Sequence, residues 1–192
     1  MKVDLDKVFE IDGSEENTWT FLQDIPGVAS CMPGAEITEQ VDDNNYKGKV
    51  RAKVGPATMS FEGDIEIKEI NATNKSLHFI GTGQDTKGTS GAEMDLTASV
   101  RKGESGVTEL VGVATVTVSG KVANFGGRMM TQVADQILNQ FGKNFANNVI
   151  AMGDGEEAEE AAKVVAEQPK ELNGLAFGWS IFIGYFKTLF GK

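Results

Sequence analysis

His78 and Cys31, the only histidine and the only cysteine of this 192-residue chain, are its best-equipped residues for acid–base, nucleophilic or metal chemistry. His78 stands between Leu77 and Phe79 in an alternating stretch and shares the outward face with Thr82, so a solvent-facing strand position is expected. Cys31 has no histidine or second cysteine near it in sequence, which suggests neither an activated nucleophile nor a metal cluster. Glu62, Asp64 and Glu66 recur at every second position and describe a solvated strand face. The glycine-bearing run GTGQDTKG (81–88) lacks the strand–GxxxxGK–helix order of a phosphate loop. Gly126-Gly127-Arg128 could hold an anion at a helix start, but a kink or a packing role accounts for it more simply. No cofactor and no metal ion are expected. The chemistry left to the chain is that of apolar surfaces.

Charge narrows the partners. The net charge of −10 argues against nucleic acid, whose phosphates demand clustered Lys and Arg, and against plain electrostatic adsorption to anionic lipid. With one cysteine there is no internal disulfide, and MKVDLDKVFEI is short and acidic where a secretory h-region would stand. A cytoplasmic setting is expected. The charge is also uneven. Residues 153–171 hold seven acidic and two basic groups, whereas residues 172–192 hold two lysines and no acid. These shifts divide the chain into a domain (1–152), an acidic flexible or loosely helical linker (153–171) and a hydrophobic tail (172–192).

Two periodicities organise the domain. From Lys121 to Met152 apolar residues fall three or four apart (Val122, Phe125, Met129, Val133, Ile137, Phe141, Phe145, Val149), which predicts one long amphipathic helix. At 1.5 Å per residue, thirty such residues would run about 45 Å. Ahead of it the period is two. Val3–Ile11, Glu36–Val41, Tyr46–Val54, Met59–Lys68, Leu77–Gly81, Ala92–Arg101 and Leu110–Val118 read as strands joined mostly by short turns, including Gly55-Pro56. Tyr46–Val54 has a basic outer face and Met59–Lys68 an acidic one, which favours pairing them. A short helix capped by Ser14 is expected through Trp19, Phe21 and Leu22, ending before Pro26, with CMPGAE (31–36) as a turn. The economical solution is α+β: a curved seven-stranded antiparallel meander gripping the C-terminal helix, with Gly48, Gly63 and Gly81 at its bends.

Inward strand positions are small (Gly48, Ala52, Gly63, Gly81, Ala92, Ala98, Gly112, Ala114), while the helix offers broad or pliable side chains such as Phe125 and Met129. Either the sheet closes tightly on the helix, or an apolar cavity remains between them. In the second case the expected lining is Phe61, Phe79 and Leu96 from the strands and Phe125, Met129 and Val133 from the helix.

In the tail, Leu175, Trp179, Phe182, Phe186 and Phe190 share one helical side, and Leu175–Phe186 carries no charge. Sixteen helical residues reach about 24 Å, short of a roughly 30 Å hydrocarbon core. Interfacial attachment to a membrane is the expectation, with docking on a partner protein or on the domain itself as the alternatives.

The ordered landmarks CMPGAE (31–36), Tyr46-Lys47-Gly48, VGPATMSFEGD (54–64), GTGQDTKG (81–88) and SGKVANFGGRM (119–129) cover residues 1–150. Together they resemble the carbon monoxide dehydrogenase CoxG-like family of the helix-grip (Bet v 1/START-like) superfamily. The resemblance implies a seven-stranded sheet around a long helix enclosing an apolar cavity. It also implies a non-catalytic accessory role at the inner face of the cell membrane, serving a CO dehydrogenase-type molybdenum hydroxylase or a related oxidoreductase. The implied ligand is a lipid, an isoprenoid quinone above all. An assembly or recruitment factor with no ligand is the second reading, and a small cyclase or hydrolase the third.

Overall fold

The computed structural model describes residues 1–54 and 57–167. The expected Gly55-Pro56 turn and the tail residues Leu175, Trp179, Phe182, Phe186 and Phe190 lie outside the described residues. Strand β1 (Lys2–Ile11) is followed by helices α1 (Glu15–Leu22) and α2 (Ile25–Cys31). Strands β2 (Ala35–Gln40), β3 (Asn45–Val54), β4 (Ala57–Asn71), β5 (Ser76–Asp85), β6 (Ser90–Lys102) and β7 (Thr108–Gly120) come next. A 3-10 turn (Lys121–Phe125) leads into α3 (Gly127–Ala151), and α4 (Glu156–Ala166) ends the described chain. The seven strands form one antiparallel sheet in the order β1-β7-β6-β5-β4-β3-β2. The chain is α+β, as its two periodicities predict.

Side chains of equal parity keep to one face of each strand, except beyond the register shifts between Ile37 and Glu39 of β2 and between Ile67 and Glu69 of β4. The expected charge pairing of β3 with β4 is present: Lys47 stands opposite Asp64 and Lys49 opposite Glu62. The lysine ammonium groups nonetheless turn to the other neighbour, β2, where Lys47 meets Glu39 at 3.2 Å and Lys49 meets Glu36 at 3.0 Å. All four side chains are exposed, so these pairs set register more than they stabilise.

Three expectations change. Helix α2 occupies residues read as the approach to a turn, and Pro26 lies in its first turn rather than beyond the end of α1. Proline is tolerated there because the missing N–H has no intrahelical partner, and Asp24 Oδ1 caps the helix by accepting from Gly27 N at 3.1 Å. Second, the long helix starts at Gly127, not Lys121. Gly126 has φ +78°, a left-handed conformation that separates the 3-10 turn from α3, so the double glycine is a kink. Third, the segment expected as a flexible or loosely helical spacer contains α4, which is not free but packs on α3 and buries Ala158 and Ala161. Their i, i+3 spacing gives an otherwise acidic helix one small apolar stripe.

The larger packed cluster occupies one end of the molecule, and a second one, Tyr46, Ile67 and Leu77 with Ile25, Ile37, Ile65 and Phe79 against it, lies on β3, β4 and β5. Ile11, Phe21, Leu22, Val100, Leu110, Phe145 and Val149 form the larger cluster, in which α1, α2 and the C-terminal half of α3 close on the ends of β1, β6 and β7. Phe145 is fully buried, with its ring centroid 5.0 Å from that of Phe21 and 5.7 Å from that of Phe141. Asn144 Nδ2 donates to the Cys31 carbonyl at 2.9 Å and ties α3 to the end of α2. Outside, an ion pair joins Lys75 in the β4–β5 turn to Glu15 in the first turn of α1. Its hydrogen bond holds the Glu15 carboxyl below the usual carboxylate range. Because that folded value is depressed, the contribution is present above the unfolded pKa and is lost as pH falls through the folded value.

Toward the other end of the sheet, glycines let strands approach backbone to backbone. Gly48, Gly63 and Gly83 form one row across β3, β4 and β5. A Cβ on Gly63 would lie 1.8 Å from the Thr82 carbonyl oxygen and 2.6 Å from Gly83 Cα. Gly81, expected as a bend, has no such restriction, since its Cβ would meet only Met94 Cε at 3.8 Å. The required glycine of β4 therefore answers to Gly83.

Candidate functional site

The concave face of the sheet is built by odd-numbered positions of β1, β4 and β5 and even-numbered positions of β3, β6 and β7. Phe9 and Ile11 fix the face, because Phe9 contacts α3 and Ile11 enters the core. By register, Leu5, Ala114, Leu96, Phe79 and Ile67 form one row across five strands. The next row runs Val3, Val116, Met94, Gly81, Ile65, Tyr46. Most of these side chains are only half-buried, in contrast to the closed base.

Glycines report where helix and sheet touch. At the base, a Cβ on Gly142 of α3 would sit 2.4 Å from the Phe9 ring, so the two surfaces meet there. Over Gly112, one strand along on the same concave face, a Cβ would meet nothing within 4 Å. Helix and sheet thus converge at the base and separate toward the start of α3. The backbone bond from Lys121 N to the Thr89 carbonyl places that opening beside the β5–β6 turn. The result is an apolar concavity with a closed base and an open mouth.

The expected lining is partly brought together. Phe79 and Leu96 are direct cross-strand partners on the concave face. Phe61 shares that face but lies six residues along β4 from Ile67, the partner of Phe79, near the mouth and opposite Asp85. Phe125 is half-buried in the 3-10 turn, and Val133 is half-buried on α3. Met129 is 38% exposed. Steps of four residues drift about 40° each on a helix of 3.6 residues per turn, so Met129 stands roughly 160° around the axis from Phe145. Met130, Ala134 and Leu138, all partly buried, continue the Phe145 face instead.

The concave face also carries a charge that the apolar pattern hides. Lys7 shares its parity with Val3, Leu5, Phe9 and Ile11, and its Nζ meets Asp135 Oδ1 of α3 at 2.7 Å. This pair, 35% and 44% exposed, spans from edge strand β1 to the helix next to the open space over Gly112. A lysine at an inward position of an otherwise apolar alternation was the signal available for it.

The two residues with catalytic potential lie elsewhere. Burial pushes the Cys31 thiol up to about 12. Its Sγ donates to the Gly27 carbonyl at 3.5 Å and accepts from Asn148 Nδ2 at 3.4 Å, a neutral packing role between α2 and α3. His78 is on the convex face, its Nε2 2.9 Å from Asp95 Oδ1. It therefore has a partner, a carboxylate, but on the side away from the concavity. Among the described residues no three His, Cys, Asp or Glu side chains converge as a metal site.

A curved antiparallel sheet closed at one end by short helices and gripped by a long C-terminal helix, with an apolar hollow between, defines the START-like helix-grip class. Solved structures agree on the fold. A conserved protein from Geobacillus kaustophilus is similar with TM-score 0.68 and 20% identity, over 77% of this chain and 95% of that one. The Zhui aromatase/cyclase of Streptomyces sp. R1128 gives 0.57 and 13%, over 81% and 100%. A START superfamily protein of Mycobacterium smegmatis gives 0.56 and 15%, over 78% and 99%. No curated protein is detectably similar. The family model for the carbon monoxide dehydrogenase protein CoxG matches residues 8–150, and the chain belongs to that family.

Proposed function

We propose that this protein is a non-catalytic accessory carrier that holds an apolar lipid, an isoprenoid quinone above all, between α3 and the sheet. The observation that carries this reading is the open space over Gly112, on a face whose rows toward the mouth are mostly apolar and half-buried. An empty concavity of that character costs free energy in water, at about 25 cal/mol per Å² of exposed apolar surface, so an apolar occupant stabilises it. Membership of the CoxG family supports service to a CO dehydrogenase-type molybdenum hydroxylase or a related membrane-associated oxidoreductase. The uncharged Leu175–Phe186 run supports attachment through residues 172–192 to the inner face of the cell membrane. Among the described residues no helix is long and apolar enough to cross a membrane.

One vesicle experiment tests both parts. The full chain and a chain ending at residue 171 are mixed with quinone-loaded vesicles and floated. Both proteins should extract quinone, and only the full chain should float with the lipid. Neither protein extracting quinone would leave an assembly factor without a ligand, and equal flotation would remove the tail as the anchor.

A further inference from the structure

We propose that Lys7 Nζ is the polar anchor of the cavity, and that the ligand it selects carries a neutral carbonyl oxygen on an apolar body rather than a carboxylate. The proposal rests on the carrier reading above and names the chemistry of the ligand's polar end.

Lys7 is inward-facing on β1, in register with Gly112, and Gly112 in turn faces Ala98 on β6. Both neighbours along this row are small, and a Cβ on Gly112, the residue beside Lys7, would meet nothing within 4 Å. An ammonium has three donors. Asp135 Oδ1 lies against it at 2.7 Å, and three donors leave room for a ligand oxygen as well. Asp135 also decides the charge. With the carboxylate in contact, Lys7 and Asp135 are together neutral, so an incoming anion gains attraction from one and repulsion from the other at similar range. A carbonyl oxygen accepts a hydrogen bond from the ammonium without disturbing that balance. The pair therefore discriminates by what it repels as well as by what it binds. It also positions Lys7, holding the long side chain between β1 and α3 instead of letting it extend to bulk water.

The test uses the full chain, stripped of lipid, and three probes of similar size: a short-tailed isoprenoid quinone, a saturated fatty acid and the hydrocarbon diphenylhexatriene. Wild type should bind the quinone more tightly than the fatty acid. Lys7→Met should weaken quinone binding about tenfold, the change that corresponds to about 1.4 kcal/mol, while leaving diphenylhexatriene within twofold. Lys7→Arg should retain most of the quinone affinity, and Asp135→Asn should raise fatty-acid affinity about tenfold by leaving the cation unbalanced. Equal quinone affinity in wild type and Lys7→Met, or a wild-type preference for the fatty acid, overturns the proposal. Should Lys7→Met fail to fold, Asp135→Asn decides: no gain for the fatty acid overturns it. If wild type binds none of the three probes, the carrier reading itself falls.

Discussion

Phe145→Ala should lower the stability of the domain by about 3–5 kcal/mol, the cost typical of truncating a buried phenylalanine in a well-packed core. Phe145 is 0% exposed and sits edge-on to Phe21 of α1 while packing beside Phe141 of its own helix. Its removal would strip the contact that joins α1 to α3 and leave a void that the surrounding Leu22, Val100 and Leu110 are too constrained to fill. In a chain of this size each kcal/mol moves the melting temperature by roughly 2–4 °C, so a fall of about 10 °C is expected. Thermal or denaturant unfolding of the variant measures it. A loss below about 1 kcal/mol would mean that the base is not the packed end described.

Gly63→Ala is the second large effect. The added methyl would have to occupy a point 1.8 Å from the Thr82 carbonyl oxygen and 2.6 Å from Gly83 Cα, and both obstacles are backbone. A flexible side chain could turn aside, but here β5 itself must move. Overpacking typically costs about 1–3 kcal/mol and occasionally more, and the upper part of that range or beyond is expected. Gly81→Ala is the internal control, one row away on the concave face. Its methyl would lie in ordinary contact with Met94 Cε, so that variant should be neutral or gain up to ~1 kcal/mol from the stiffer unfolded chain. Similar unfolding midpoints for the two variants would contradict the account of how the sheet bends.

Much of this architecture was legible in the chain because both periodicities are strong and local. Alternation from Tyr46 to Val118 specifies the strands and their inner face, since a one-residue slip would invert every side chain. Helix boundaries were harder. Pro26 reads as a terminator unless Asp24 is recognised as a cap, and Gly126 breaks a stripe whose apolar spacing continues across it. The same stripe misplaced Met129, because even four-residue steps look aligned in sequence while rotating steadily around the axis. The inward face was therefore legible on the strand side, at Phe79 and Leu96, and blurred on the helix side. Lys7 was legible as a lysine at an inward position, but its pairing was not: Asp135 is 128 residues away, and only the fold brings them to 2.7 Å. Long-range ion pairs leave no periodic trace.

We propose that the interior is full at its base and hollow toward the start of α3, with the hollow serving an apolar ligand. Gly112→Leu tests it most directly, because the new side chain would enter space in which a Cβ meets nothing within 4 Å. Melting and quinone retention are measured on the same preparation of the full chain, the latter by native mass spectrometry. The expected result is a melting temperature within about 3 °C of wild type, equivalent to roughly 1 kcal/mol, together with loss of the quinone-bound species. A steep drop in melting temperature, or undiminished quinone binding in a normally folded variant, would contradict it.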